Sequence, residues 1–204
     1  GEREAGRRFD EYLRALENPD IEVVSIKIST IYSQITSVSA GHCIDVLAER
    51  IKHLYRAAAA SRFEDANGSS RSRFVYLDME ENRDMSITAE AFMRALDDPD
   101  LRAVPGGIAL QAYVPDSFAT QQRITTWARA RTDAGGAPVT IRIVKGANME
   151  MEQVEAAIQG WSQAPYTSKV DTDANFKRML LWGLEPENIP AVRLGVASHN
   201  LFDL

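Results

Sequence analysis

The residues most able to do chemistry sit at or just beyond the ends of apolar runs. Arg142 lies inside "VTIRIV", with Lys145 and Gly146 directly after it. Lys27 interrupts "VSIKIS", Asp78 follows "FVYL", Gln111 follows "GIAL", and Ser198, His199 and Asn200 follow "LGVA". An unpaired buried charge is strongly disfavoured, so Lys27 and Arg142 must meet carboxylates, a ligand anion, or both. In parallel α/β folds ligands bind beyond the carboxyl ends of the strands, and in barrels the catalytic groups come from several strand ends. Polar groups repeated at five strand ends therefore point to a shared binding rim.

Each residue also has a purely structural explanation. Lys27 could snorkel from a strand edge, and Asp78 could cap the turn that follows it. Gln111 could be a satisfied core amide, and Arg142 could form an ion pair with Asp78 or Glu80. His199 taken alone is more often a hydrogen-bonded structural histidine. Taken together, the functional reading is favoured. Other features carry less: Met85, Met93, Met149, Met151 and Met179 read as core filler, and Cys43 reads as packing. His42 and His53 have no partner at metal-ligand spacing.

The elements that must position these groups follow from periodicity. Residues 2–17 predict an amphipathic helix with Phe9, Tyr12, Leu13 and Leu16 on one face, stopped by "NPD". Further helices are expected near 40–60, 86–98, 117–133, 149–160 and 173–182, the last opened by Asp171, Thr172 or Asp173 as N-cap. Strands are expected at 21–29, 74–78, 106–113, 139–145 and 191–198. "SRFEDANGSSRSR" (61–73) reads as a flexible polar loop.

Strands alternating with helices argue for right-handed βαβ units and a parallel sheet. An open nucleotide-binding sheet would usually carry a Gly-rich turn after its first strand, and "KISTIYSQ" contains no glycine. A (βα)8 TIM-type barrel is the better expectation, yet such a barrel takes eight strands and about 250 residues. With 204 residues and five strands, about five βα units of an incomplete barrel are expected. The formal charge of −6 offers no basic field for nucleic acid. One cysteine fits a reducing compartment, and no apolar run approaches the roughly 20 residues of a membrane helix. A cytoplasmic setting, or one peripheral to the inner face of a membrane, is expected.

The ordered motifs "VSIKIS", "YLDMEENRD", "GIALQAY", "IRIVKGANMEMEQVE", "PYTSKVDTDANFKRML" and "LGVASHN" together resemble the proline dehydrogenase barrel over roughly residues 20–200. That flavin domain occurs as a single-function enzyme and as the front part of bifunctional proline-utilisation proteins. The resemblance implies FAD-dependent oxidation of L-proline to 1-pyrroline-5-carboxylate by hydride transfer to flavin N5, the first step of proline catabolism to glutamate. It implies a quinone electron acceptor at the membrane and, in bifunctional parents, a downstream aldehyde dehydrogenase domain. An oligomeric parent is compatible with it.

By motif match, Arg142 would lie against the flavin near N5 and Gln111 would hydrogen-bond the isoalloxazine. Val144, Lys145, Gly146 and Ala147 would line the cofactor, with Ser198, His199 and Asn200 around its phosphate and ribityl portion. Lys27 would hold the proline carboxylate, and Asp78 would sit beside the substrate pocket, where it could pair with a cation such as Lys27. Arg142, Lys27 and Asp78 are thus the expected catalytic set. An arginine suits a site that gathers negative charge because it stays charged and its fork is rigid, and Gly146 would allow close backbone approach to the flavin.

This chain departs from the family pattern at Asn148 and Met149, where an aromatic pair is usual, and at Ser198, where threonine is usual. The family's carboxylate-binding arginine pair belongs to the last barrel helix, three strands beyond "HNLFDL", so the expectation is a truncated piece with little proline oxidation of its own. Two alternatives stay open: another flavin barrel, such as a folate reductase-like oxidoreductase, and a non-catalytic fragment acting as a scaffold.

Overall fold

A computed structural model describes residues 1–79, 82–146 and 165–198, together with Val154 and Ile158. Helix α1 (Glu2–Glu17) leads into strand β1 (Val23–Lys27), the short helix α2 (Ile28–Ile31) and the long helix α3 (Ala40–Ala60). A small hairpin, β2 (Arg62–Glu64) and β3 (Ser70–Ser72), precedes β4 (Phe74–Asp78) and α4 (Met85–Leu96). Then follow β5 (Gly107–Gln111), α5 (Ser117–Asp133), β6 (Val139–Val144), α6 (Lys169–Gly183) and β7 (Val192–Ala197). Among the described residues no helix is long and apolar enough to cross a membrane.

Five strands form one parallel sheet in the order β1-β4-β5-β6-β7, which is also their order along the chain. When each new strand is added on the same side through a right-handed crossover, every connecting helix falls on the same face. The burial pattern shows this one-sided cover. Ile26, Val75, Leu77, Ile108, Leu110, Ile141 and Ile143 are fully buried, against the helix layer in which α3, α4, α5 and α6 pack each on the next. The opposite face carries Lys27, Tyr76, Asp78, Thr140 and Arg142, all partly open or exposed. Helices on one face and polar groups on the other make this sheet the wall of a barrel. A doubly wound sheet would have both faces covered. The five βα units match the incomplete-barrel expectation.

The helix stripes follow their sequence. In α3, Cys43, Leu47, Ile51, Leu54, Tyr55 and Ala58 recur every three or four residues and are all buried, the spacing that keeps side chains on one side of a helix. α4 stops where Asp97, Asp98 and Pro99 arrive, because a proline cannot continue the hydrogen-bond ladder.

Two expectations are corrected. The stretch 61–73 is an antiparallel hairpin, with Phe63 opposite Arg71. Its turn is held by Asp65, whose Oδ1 accepts from the backbone N–H groups of Asn67 and Ser69, both at 2.9 Å, and by Gly68 at φ +79°. Its strands are polar and three residues long, so no apolar alternation marks them. They are fastened by Arg62, which donates to the hydroxyls of Ser70 (3.1 Å) and Ser72 (3.0 Å). The second correction concerns α6. Its N-cap is Ser168, whose Oγ accepts from Val170 N at 3.1 Å, and the helix starts four residues earlier than its charge pattern suggested. Asp171 and Asp173 lie inside the helix. The helical stretch expected at 149–160 lies outside the described residues except for Val154 and Ile158, which are helical.

Candidate active site

The register of the sheet decides which side chains share a row. Lys27 is opposite Asp78, and Arg142 is opposite both Ala109 and Gly195. Tyr76 is opposite Gly107 and Leu77 opposite Ile108, so Asp78 and Ala109 come level one residue further along. The row Lys27, Asp78, Ala109, Arg142, Gly195 therefore crosses the whole sheet on its open face, near the carboxyl ends. Because Ala109 is only a methyl group, Arg142 reaches over it to Asp78, and Nη2 forms an ion pair with Oδ1. Both partners are partly solvent-accessible, at 33% and 25% of their side-chain surface. The carboxylate partner of Arg142 is thus Asp78, while Lys27 sits exposed beside it on β1.

Gln111 ends β5 one row higher, opposite Val144. Its Nε2 donates to Met79 O at 2.6 Å, which orients the amide. The backbone there is pinned from outside, since Ser117 Oγ donates to Gln111 O at 2.7 Å and Asn175 Nδ2 donates to Ala112 O at 2.8 Å. Two buried atoms on this face, Gln111 Oε1 and Arg142 Nε, have no hydrogen-bond partner among the described residues. Buried polar atoms are nearly always paired, so these two stand out as an unmet acceptor and an unmet donor on this face.

Lys145 reaches outward to α6. Its Nζ lies 2.7 Å from Asp173 Oδ1 and 5.5 Å from the Phe176 ring centroid. Lys169 also contacts Asp173 at 3.1 Å. Hydrogen bonds from Lys145, and then from Lys169, hold the Asp173 carboxyl below its ordinary pKa. A depressed folded-state pKa means stability that is present above the unfolded value of about 3.9 and lost as the pH falls through the lower folded one. Asp173→Asn is accordingly expected to lower the urea midpoint at pH 6 and to differ little from the parent near pH 2. A pH series of unfolding curves reads this directly, and equal differences at both pH values would contradict it.

Gly146 has φ +145°, and a Cβ placed there would fall 1.7 Å from Cδ1 of the buried Tyr113 ring. Protein packing alone therefore demands glycine at this strand exit. Gly146→Ala is expected to cost about 2 kcal/mol through backbone strain and overpacking, read as a lowered urea midpoint with an unchanged slope. Val144 is half-buried on the open face and Ser198 is half-buried just after β7. Ala147, His199 and Asn200 lie outside the described residues.

Sequence reasoning passed over three residues of this face: Tyr76, Gly107 and Ala109. The signal was available, because side chains two apart on a strand share a face, which places Tyr76 beside Asp78 and Gly107 and Ala109 beside Gln111.

A family model described as proline dehydrogenase matches residues 1–204, the whole sequence. This chain belongs to the proline dehydrogenase family. Solved structures of relatives agree with the family assignment. Proline Utilization A (PutA) from Corynebacterium freiburgense is 40% identical with a TM-score of 0.90, the match covering 100% of this chain and 20% of that one. PutA from Bdellovibrio bacteriovorus, solved after inactivation by N-propargylglycine, is 28% identical with a TM-score of 0.82, covering 99% and 22%. A Bradyrhizobium japonicum PutA mutant is 25% identical with a TM-score of 0.81, covering 99% and 20%. This chain thus spans about a fifth of the length of the PutA chains it matches. No curated protein matches the sequence.

Proposed function

We propose that this chain forms the cofactor- and substrate-facing wall of an FAD-dependent enzyme that oxidises L-proline to 1-pyrroline-5-carboxylate. The observation that carries the reading is the open-face rim, where Arg142 is braced by Asp78 and where Arg142 Nε and Gln111 Oε1 remain unmatched. An isoalloxazine edge presents both N–H donors and carbonyl or ring-nitrogen acceptors, so it fits that donor–acceptor pair. Bound FAD would supply the two-electron acceptor.

The protein's own groups supply position and charge. Oxidation removes a hydride from proline C5 and a proton from its nitrogen, leaving a C5=N bond. A fixed guanidinium beside the acceptor favours the negative charge that arrives there, and it does so without reorganising. Lys27, an exposed residue of the same row, has the charge suited to the proline carboxylate. Asp78 holds Arg142 in place and adds a negative charge near the substrate's secondary ammonium. Electrons then leave toward a membrane quinone, and the product continues toward glutamate. In the parent protein further strands would pair with β1 and β7, each of which has one strand neighbour among the described residues.

The test is anaerobic addition of L-proline to the purified full-length protein. Flavin absorbance in the visible should be present and should bleach with proline and not with a reduced folate. A colourless protein, or a flavin bleached by the folate and not by proline, would overturn the proposal.

A further inference from the structure

Beneath the Arg142–Asp78 pair lies an aromatic ring. Tyr76 precedes Asp78 by two residues on β4 and so points to the same face. Its ring sits against β5 at Gly107, where a Cβ would fall 2.4 Å from Tyr76 Cδ1 and 2.5 Å from Cε1. Phe74 backs it, with the ring centroids 4.8 Å apart. The guanidinium carbon of Arg142 stands 5.0 Å from the Tyr76 centroid. The cation is therefore held by two different contacts, the Asp78 carboxylate in its own row and a ring face from the row before. The ring can lie there only because β5 contributes glycine at that point.

We propose that Tyr76 is the positioning residue for Arg142, a role that rests on the reading of this face as a flavin and proline site. A carboxylate alone leaves a long arginine side chain free to swing about one point of attachment. A ring face below the guanidinium removes that freedom through cation–π attraction, so the guanidinium keeps one orientation on this face. Gly107 belongs to the same device: it is the recess that lets the ring lie beneath the cation.

The consequence is separable from packing. Tyr76→Leu keeps an apolar side chain at the site and removes the π face, and Tyr76→Phe keeps the π face. In the full-length holoenzyme, Tyr76→Leu should lower kcat for proline by roughly three- to thirtyfold, with KM changed less than twofold. It should also move the flavin midpoint potential toward that of Arg142→Met. Tyr76→Phe should restore the parent values. Gly107→Ala, which forces the ring aside, should reproduce Tyr76→Leu from another strand. Combined with Arg142→Met, Tyr76→Leu should add nothing further, because the two residues act as one unit.

A measurement without flavin accompanies this. In the cofactor-stripped protein, the urea-midpoint shifts of Tyr76→Leu and Arg142→Met should be non-additive. Additive shifts, or a Tyr76→Leu enzyme whose potential and kcat match the parent, would overturn the positioning role while proline oxidation itself stands. A parent protein that holds no flavin would overturn the functional reading and this role together.

Discussion

Replacing Arg142 by methionine is expected to leave the fold intact, to cut proline turnover roughly hundredfold, and to lower the midpoint potential of the bound flavin. The fold survives because Arg142 faces away from the core. Its neighbours on β6, Ile141 and Ile143, carry the burial, whereas its own side chain is a third exposed. The Asp78 carboxylate left behind is itself partly accessible and can take water, so the stability cost should be only about 1 kcal/mol. Turnover suffers far more, since the guanidinium is the cation placed by both Asp78 and Tyr76 on the open face. Arg142→Lys should recover part of the potential and little of the rate, because an ammonium cannot both bond the carboxylate side-on and keep a second donor aimed outward. Stopped-flow reduction by proline and dye-linked potentiometry measure both effects. Parent-like values in Arg142→Met would contradict the assignment.

The largest stability loss is expected far from this rim, at Arg131. This side chain is only 9% exposed and spends its donors on five backbone carbonyls. Nε donates to Ala137 O at 3.1 Å, Nη1 to Leu96 O, and Nη2 to Leu101 O at 2.7 Å, Arg102 O at 2.9 Å and Val104 O at 3.2 Å. The indole of Trp127 lies 5.7 Å away, and Gly136 leaves room for the stem, since a Cβ there would be 2.7 Å from Arg131 Cγ. Those carbonyls belong to the end of α4, the turn before β5 and the turn before β6. Arg131 thus ties together the entrances of the two strands that carry Gln111 and Arg142. Burial pulls its pKa down, yet a guanidinium stays charged. Leu101 O and Arg102 O keep backbone donors, Val104 N at 3.0 Å and Ala137 N at 2.8 Å. Arg131→Met therefore strands Leu96 O, Val104 O and Ala137 O, and at about 1 kcal/mol or more for each unmet group the loss should reach about 3 kcal/mol. Arg131→Lys should recover less than half, having three donors in place of a fork. Urea unfolding read by far-UV circular dichroism would show this, and a midpoint within error of the parent would refute it.

Much of the scaffold was legible because its signals are local and periodic. The stripe from Cys43 to Ala58 and the amphipathic face of residues 2–17 each announce a helix, and α1, α3, α5 and β4 fall where periodicity placed them. What escaped depended on non-local pairing. The hairpin at 62–72 has no apolar alternation to reveal it, since its ladder is reinforced by Arg62 and serine hydroxyls. Ser168 caps α6 through an oxygen no more conspicuous in sequence than the aspartates after it. The Arg142–Asp78 pair stood among the alternatives read from the sequence. That Ala109 lies between the two, and that Tyr76 lies beneath Arg142, became visible only with the β4–β5–β6 register. Conversely Gly146, read as clearance for a cofactor, is already required by Tyr113, so a glycine beside a site is no proof of what it faces.

The most direct test of the central claim is a crystal structure of the full-length protein with FAD bound. The isoalloxazine should lie over the open face of the sheet, with Arg142 and Gln111 within hydrogen-bond reach of its edge and Lys27 facing the substrate side. A flavin seated on the helix-covered face, or on the rim but out of reach of Arg142, would contradict the account.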